Sequence, residues 1–300
     1  MGASHGDLAG VDALYSGSER PPVVINVCLT GIVPAKSVNP SVPLSVSEIV
    51  EDAARVVEAG ASMLHIHARE EDGRPSWRPE LYERIFSAIR AAHPEVVIVA
   101  TTSGRSDSRF EHRAAVLDLE GAARPDMASL TLGSLNFPEA ASVNPPDVIQ
   151  RLAQRMRERG VKPELEVFDP GMLNYALYLR RKGLLEEPCY VNLILGSLGG
   201  MAARVSDLAY LARDIPAEWA WAAAGVGRFQ LPMNLAGLLM GGHVRVGLED
   251  NLYLDFGKRV PASNLALVQR LVRFATELER PVATPGETRR LLGLDGVAPA

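Results

Sequence analysis

The sequence predicts a single α/β domain closed into a (β/α)8 barrel of the TIM type. Short β-branched apolar runs alternate with helix-patterned segments eight times over about 270 residues, the signature of parallel strands joined by crossover helices. The turn after the first run, Thr30-Gly31-Ile32-Val33-Pro34, lacks the glycine-rich phosphate loop that a doubly wound open sheet would carry there. The length agrees, because 300 residues is more than one average domain, but α/β barrels commonly reach about 250 residues as a single unit.

Each element follows from its residues. Residues 1–22 are polar and Gly/Ser-rich without a period, which predicts a flexible N-terminal arm; residues 23–300 are assigned to the barrel and a short C-terminal helix. Val23–Thr30 is a β-branched run suited to a buried strand. Ser45 and Glu48 stand where an N-cap and its capping-box partner belong, and Ile49, Ala53, Val56 and Val57 follow at helical spacing up to Gly60. The same unit then recurs. Strands are predicted at Ser62–Arg69, Val96–Ser103, Met127–Ser134, Glu164–Asp169, Tyr190–Gly196, Ala220–Val226 and His243–Asp250. Helices are predicted at Pro79–Ala92, Arg109–Leu119, Pro146–Arg159, Gly171–Lys182, Ala203–Arg213, Leu231–Met240 and Ala262–Leu278, with a last one at Pro285–Leu292.

Composition narrows the function. The net charge is −5 and no basic run is interleaved with aromatics, so a nucleic-acid partner is not expected. Two cysteines, Cys28 and Cys189, make neither a disulfide framework nor a thiolate metal site. No stretch reaches the ~18 apolar residues of a membrane span, and no signal segment opens the chain. The expectation is a soluble cytoplasmic protein acting on small molecules.

In this fold, active sites sit at the C-terminal ends of the strands. The strongest candidate there is Met63-Leu64-His65-Ile66-His67-Ala68-Arg69. Side chains alternate along a strand, so His65 and His67 share one face with Arg69 beyond them, while Leu64 and Ile66 face the helices. Two imidazoles so placed can take two positions around one divalent ion. Other strand ends offer Thr30; Thr101, Thr102 and Ser103; Ser129, Thr131 and Ser134; Glu164, Glu166 and Asp169; Asn192 and Ser197; Arg228; and Arg245, Glu249, Asp250 and Asn251. Strand eight closes on strand one, next to strand two, so either Glu249 or Asp250 can supply a third ligand and leave a position open for substrate. Zinc, manganese and iron all accept that donor set. Arg245 cannot shed its charge and must meet a carboxylate, Asp250 or Glu249 being nearest in sequence. Glu166, mid-strand, must pair with an arginine, approach the metal or contact substrate. His5, His93, His112 and His243 fall on the arm, on helices or at the strand-eight start, and are read as bystanders.

These motifs carry a resemblance. His65-x-His67 with Asp72-Gly73-Arg74-Pro75-Ser76, Leu132-Gly133-Ser134-Leu135-Asn136-Phe137, Gly225-Val226-Gly227-Arg228, and Gly241 through Asn251 resemble the β-keto acid cleavage enzymes, from about Val24 to Leu292. The founding activity of that family cleaves 3-keto-5-aminohexanoate. The resemblance implies a zinc-dependent retro-Claisen exchange in which a β-keto acid and acetyl-CoA yield acetoacetate and a new acyl-CoA. It implies one zinc per subunit on His65, His67 and Glu249, with Asp250 as general base and Arg245 positioning it. Thr102 and Ser129 match hydroxyl positions lining the substrate site, and a homodimer or homotetramer is implied. Members taking an amino substrate carry an acid just after strand one, where this chain has Val33. An ammonium would find no counter-charge there, which predicts a neutral, apolar or anionic substrate side chain; Lys36 reads as a surface lysine. Two other functions compete: a metal-dependent hydrolase of the amidohydrolase type, which would want histidines where Glu166 and Asn192 stand, and an inactive barrel serving as a binding subunit.

Overall fold

Eight parallel strands hydrogen-bond edge to edge into a closed ring in chain order, with the last strand returning to the first. They are β1 (Ile25–Cys28), β2 (Met63–Ile66), β3 (Val97–Ala100), β4 (Met127–Thr131), β5 (Lys162–Val167), β6 (Tyr190–Leu195), β7 (Ala220–Gly225) and β8 (His243–Val246). The computed structural model describes residues 20–294, so most of the predicted arm and the last six residues lie outside the described part. The helices between strands are α1 (Val46–Glu58), α2 (Pro79–Ala92), α3 (Phe110–Ala114), α4 (Pro146–Glu158), α5 (Pro170–Arg181), α6 (Val205–Arg213) and α7 (Gln230–Leu239). Beyond β8 come α8 (Asn264–Glu277) and α9 (Pro285–Leu291). The barrel predicted from alternating pattern is the barrel observed.

Local signals explain the boundaries. Ser45 and Glu48 form the expected capping box on α1, and Pro79 and Pro146 sit in the first turns of α2 and α4, where a missing N–H costs nothing. The predicted helix from Arg109 is α-helical only to Ala114 and then tightens into a 3-10 turn over Ala115–Asp118. Several strands are shorter than predicted at the end that carries the site. β2 leaves the ring after Ile66, and Ala68–Arg69 pairs instead with Pro75–Ser76 in a small antiparallel ladder. β8 ends at Val246, so Glu249 and Asp250 lie in the following turn and not on the strand.

Alternation along the strands separates two environments. Leu64 and Ile66 face outward with Ile25, Val27, Leu165 and Val244 into the layer shared with the helices. The opposite face fills the ring: Val24, Met63, Val97, Met127 and Tyr190 plug its lower end, and one step up the strands the interior turns polar. Asn26, inside a run that reads as apolar, is fully buried and donates to Glu164 at 2.7 Å. Register places Cys28 beside His65, Asn26 beside Arg245, and Ser129 and Thr131 beside Glu164 and Glu166. The upper half of the barrel is therefore lined by charge.

Candidate active site

The turn after β8 is held from several sides. Gly247 (φ +148) lies so close to β1 that a Cβ there would come 2.1 Å from the Cys28 carbonyl oxygen. The Gln230 amide donates to the Gly247 carbonyl, Leu248 N–H donates to the Asn264 side chain, and Glu249 N–H donates to the Cys28 carbonyl. Gly31 (φ +64) completes the fit, since a Cβ on it would meet Glu249 Cγ at 2.6 Å. Arg69 stitches the neighbouring loop: its guanidinium donates to the carbonyls of Gly31, Gly73 and Pro34. That loop carries Val33.

His65, His67 and Glu249 meet at one point. Their Nε2 atoms lie 3.3 Å apart, Glu249 Oε1 is 3.3 Å from His67 Nε2, and Glu249 Oε2 is 3.8 Å from His65 Nε2. Two nitrogens each about 2.0–2.1 Å from a tetrahedral zinc stand roughly 3.4 Å apart, so the spacing fits the ion. Glu249 Oε2 is buried with no hydrogen-bond partner, as an unused ligand atom would be. Glu164 Oε2 accepts from His65 Nδ1–H at 2.6 Å, which leaves the Nε2 lone pair for the point shared with the other two ligands. A second grouping, His65 with Glu164 and Glu166, suits a cation less well. Arg245 Nη1 already stands 3.0 Å from Glu166 and 3.8 Å from Glu164.

Arg245, fully buried, faces carboxylates on every open side: Glu166, Glu249 at 3.3 Å, Asp250 at 3.2 Å and Glu164. It meets both of the partners nearest in sequence, and two more on β5. Glu166 accepts from Arg245 and, at 2.7 Å, from Thr131. Consecutive carboxyls are driven opposite ways. Burial favours the neutral form of Glu249, but His67, His65 and Arg245 hold it well below the usual carboxylate range. Burial lifts Asp250 to about 6, with Arg245 pulling down and Glu249 adding to the rise. One acid stays ionised to hold a cation, and its neighbour is poised to take a proton near neutral pH. Burial likewise pulls on His65, yet Glu164 and Glu249 raise it to about 8, whereas His67, desolvated with weaker compensation, is lowered.

These groups line one cavity of about 250 Å3 at the strand ends, together with Val33, Ser129, Glu166, Arg245 and Asp250. Of the residues given a catalytic, metal or substrate role from the sequence, all but Thr102 line this cavity; the further strand-end candidates Thr30, Ser134, Asp169, Asn192, Ser197, Arg228 and Asn251 do not. The Thr102 hydroxyl donates to the Ser129 carbonyl at 2.5 Å, while its chain neighbours Thr101 and Ser103 line the cavity instead. Alternation places them so. Among the sequence-predicted bystanders, His112 stacks on Trp77 with ring centroids 3.5 Å apart, and His243 Nδ1 accepts from Val24 N–H at the barrel floor. Sequence reasoning missed the orienting role of Glu164, which its two-residue spacing from Glu166 on β5 signals. It also missed the wall made by Arg105, Phe137 and Phe168.

With this geometry in place, the comparisons with known proteins fall on it. Residues 22–294 match the beta-keto acid cleavage enzyme family. The chain belongs to that family. It is 40% identical over 274 residues to the 3-keto-5-aminohexanoate cleavage enzyme of Acetoanaerobium sticklandii, covering 91% of this chain and 98% of that one. It is also 40% identical over 276 residues to the 3-oxoadipate:acetyl-CoA acetyltransferase of Cupriavidus necator, covering 91% of this chain and 95% of that protein. Among solved structures, ObcA superposes with a TM-score of 0.76 at 20% identity over 85% of this chain and 68% of that one, a likeness of fold. As a β-keto acid cleavage family member, the chain is an enzyme.

Proposed function

We propose that this β-keto acid cleavage enzyme carries out a zinc-dependent retro-Claisen exchange, converting a β-keto acid and acetyl-CoA into acetoacetate and a new acyl-CoA. The observation that carries this reading is the triangle of two buried histidines, His65 and His67, and the half-buried Glu249 beside an acid, Asp250, lifted to about 6. Zinc, when bound by those three residues, supplies Lewis-acid polarisation of the keto group and carboxylate. The Asp250 carboxylate then removes a proton from the methylene between the two carbonyls. Arg245 holds that base at 3.2 Å and favours its ionised form. The carbanion attacks the acetyl-CoA thioester carbonyl. CoA thiolate then adds to the original keto carbon, the bond to the methylene breaks to give acyl-CoA, and the released carbanion takes the proton back from Asp250 and leaves as acetoacetate. Ser129 lines the cavity, and Thr102 acts through its bonds to Ser129. Glu166 keeps Arg245 in place from β5.

The substrate side chain is read from this site, because two relatives of equal identity are named for an amino and for a dicarboxylic substrate. Val33 stands at the cavity where a carboxylate would have to meet an ammonium, so we assign a side chain without an amino group. The test is acetoacetate release from a panel of β-keto acids with acetyl-CoA, before and after chelation and zinc restoration. Chelator-sensitive release from substrates without an amino group supports the proposal. Preference for the 5-amino compound overturns the assignment to Val33, and no acetoacetate from the zinc-loaded enzyme overturns the reaction itself.

A further inference from the structure

One wall of the cavity holds a cation that no carboxylate among the described residues neutralises at close range. Arg105, two residues beyond Ser103 after β3, reaches into the cavity with its guanidinium 4.1 Å from the centroid of Phe137. Phe137 in turn meets Phe168 edge-on at 6.1 Å. Stacking of this kind fixes the plane of the guanidinium and leaves its edge N–H groups to be used. Among the described residues no carboxylate stands within ion-pair distance of Arg105; Glu139, exposed on the following turn, acts on it only from further away. Every carboxylate lining the cavity (Glu166, Glu249, Asp250) is instead engaged by Arg245.

A second cation backs the same wall. Arg113 is buried, donates to the Thr102 carbonyl and the Asn144 side chain, and leaves Nη1 without a partner. It packs so closely beneath Gly104 that a Cβ there would come 2.7 Å from Nη1. Arg113 lies behind the cavity and does not line it, which leaves Arg105 as the cation of this wall that reaches a ligand.

We propose that Arg105 binds the terminal carboxylate of a β-keto dicarboxylic acid, so that the enzyme prefers an anionic side chain. This inference deepens the function proposed above and depends on it. A guanidinium held over an aromatic ring keeps its N–H fork for bidentate carboxylate recognition, and the apolar lining of the same cavity (Val33, Leu135, Phe168, Ile194 and Val226) suits the methylenes between the two ends. The phosphates of CoA lie at the far end of a pantetheine arm that a cavity of about 250 Å3 does not enclose.

The experiment compares 3-oxoadipate with 3-oxohexanoate, equal in chain length and differing in the terminal charge, in the zinc-loaded enzyme and in Arg105→Gln. The wild type is expected to favour the diacid in kcat/KM, and the substitution to lower that preference about 10- to 100-fold, the range for a hydrogen bond to a charged group, with Arg105→Lys recovering part of it. Equal turnover of both acids by the wild type overturns the proposal. So does an equal loss for both acids in Arg105→Gln, which would place the substrate's common carboxylate on Arg105. A rise in KM for acetyl-CoA alone would place a CoA phosphate there and overturns it too. Should neither acid be cleaved, the proposed reaction fails on its own. Calorimetric binding of the two acids to wild type and Arg105→Gln then decides the proposal: tighter binding of the diacid that the substitution abolishes supports it, and equal binding overturns it.

Discussion

Two histidines on the inner face of the same barrel, both buried, are driven in opposite directions. His243 opens β8 at the floor, and burial, with the Arg280 charge adding to it, pushes its pKa down to about 3. His65 lies on β2 among Glu164 and Glu249, which overcome burial and lift it to about 8. The neighbours differ in kind. At the floor, Arg280 donates to the carbonyls of Leu238, Gly242 and Pro21, and Lys162 donates to that of Leu292. Those two cations lean on backbone carbonyls, with Arg280 Nη2 left without a partner, and the floor's carboxylate pairs gather instead at Asp126, which meets Arg90 and Arg289 just before β4. At the mouth, the charge of Arg245 is met by Glu164, Glu166, Glu249 and Asp250. The floor spends its polar groups on closing the ring. The mouth concentrates opposite charges whose balance is open to change by a ligand.

If that contrast is functional, substitutions at the mouth should change the chemistry, with or without an effect on folding, and those at the floor should change folding alone. The largest effect is expected for Asp250→Asn, which keeps the shape and removes the base. Acetoacetate release should fall about 10²- to 10⁴-fold, the usual contribution of a general base, with zinc content unchanged. A residual rate within tenfold of wild type would move the base elsewhere. Next comes Arg245→Gln. It leaves four carboxylates without their common partner, Glu164 and Glu166 buried and Glu249 and Asp250 half-buried, and loss of one member of a buried charge network costs about 3–5 kcal/mol, read from denaturant unfolding. The same change should move the acid limb of the pH–rate profile upward. Arg245 pulls the pKa of Asp250 down, so without it the base stays protonated to higher pH. A limb left in place near 6 would separate Asp250 from the rate.

The sequence carried the outline of this contrast further than its detail. Strand–helix alternation made the barrel legible, because both periods are written in apolar residues; the two-residue spacing on β2 gave His65 and His67, the closure of β8 onto β1 left the third ligand open between Glu249 and Asp250, and only the family resemblance chose Glu249. What it did not show were contacts set by three-dimensional register. Glu164 was visible as a polar residue of strand five, but that it orients His65 depends on how far β5 is staggered against β2 across the ring. Thr102 stands one residue out of phase with the cavity, and a shift of one residue on a strand reverses its face. Arg105 lies beyond a strand end, where the path of the loop decides what a side chain reaches.

Glu164 sharpens the comparison at intermediate scale, since it is the residue that makes His65 unlike His243. In Glu164→Gln the 2.6 Å contact to Nδ1 loses its charge, and Asn26, which now donates to the carboxylate, faces an amide. Zinc affinity, measured by competition with a chelator, should drop about 10- to 100-fold, as for other partners that orient a metal-binding histidine. An unchanged affinity would make the Glu164 contact a matter of folding only.

The smallest effect is expected at the floor and shows in stability alone. A histidine whose folded-state pKa lies near 3 against about 6.5 in the unfolded chain contributes fully above pH 6.5. As pH falls below that value the unfolded chain takes up a proton that the folded protein refuses, so stability is lost progressively toward pH 3. Between pH 6.5 and pH 5 the loss from this one group is about 2 kcal/mol, at 1.36 kcal/mol per unit. His243→Gln keeps an acceptor for the Val24 N–H and cannot titrate. Its unfolding free energy should therefore decline less steeply than that of wild type from pH 7 to pH 5, while acetoacetate release at pH 7 stays the same. Parallel declines would mean that the floor histidine is protonated in the folded barrel, and that the two ends differ in geometry but not in how they hold charge.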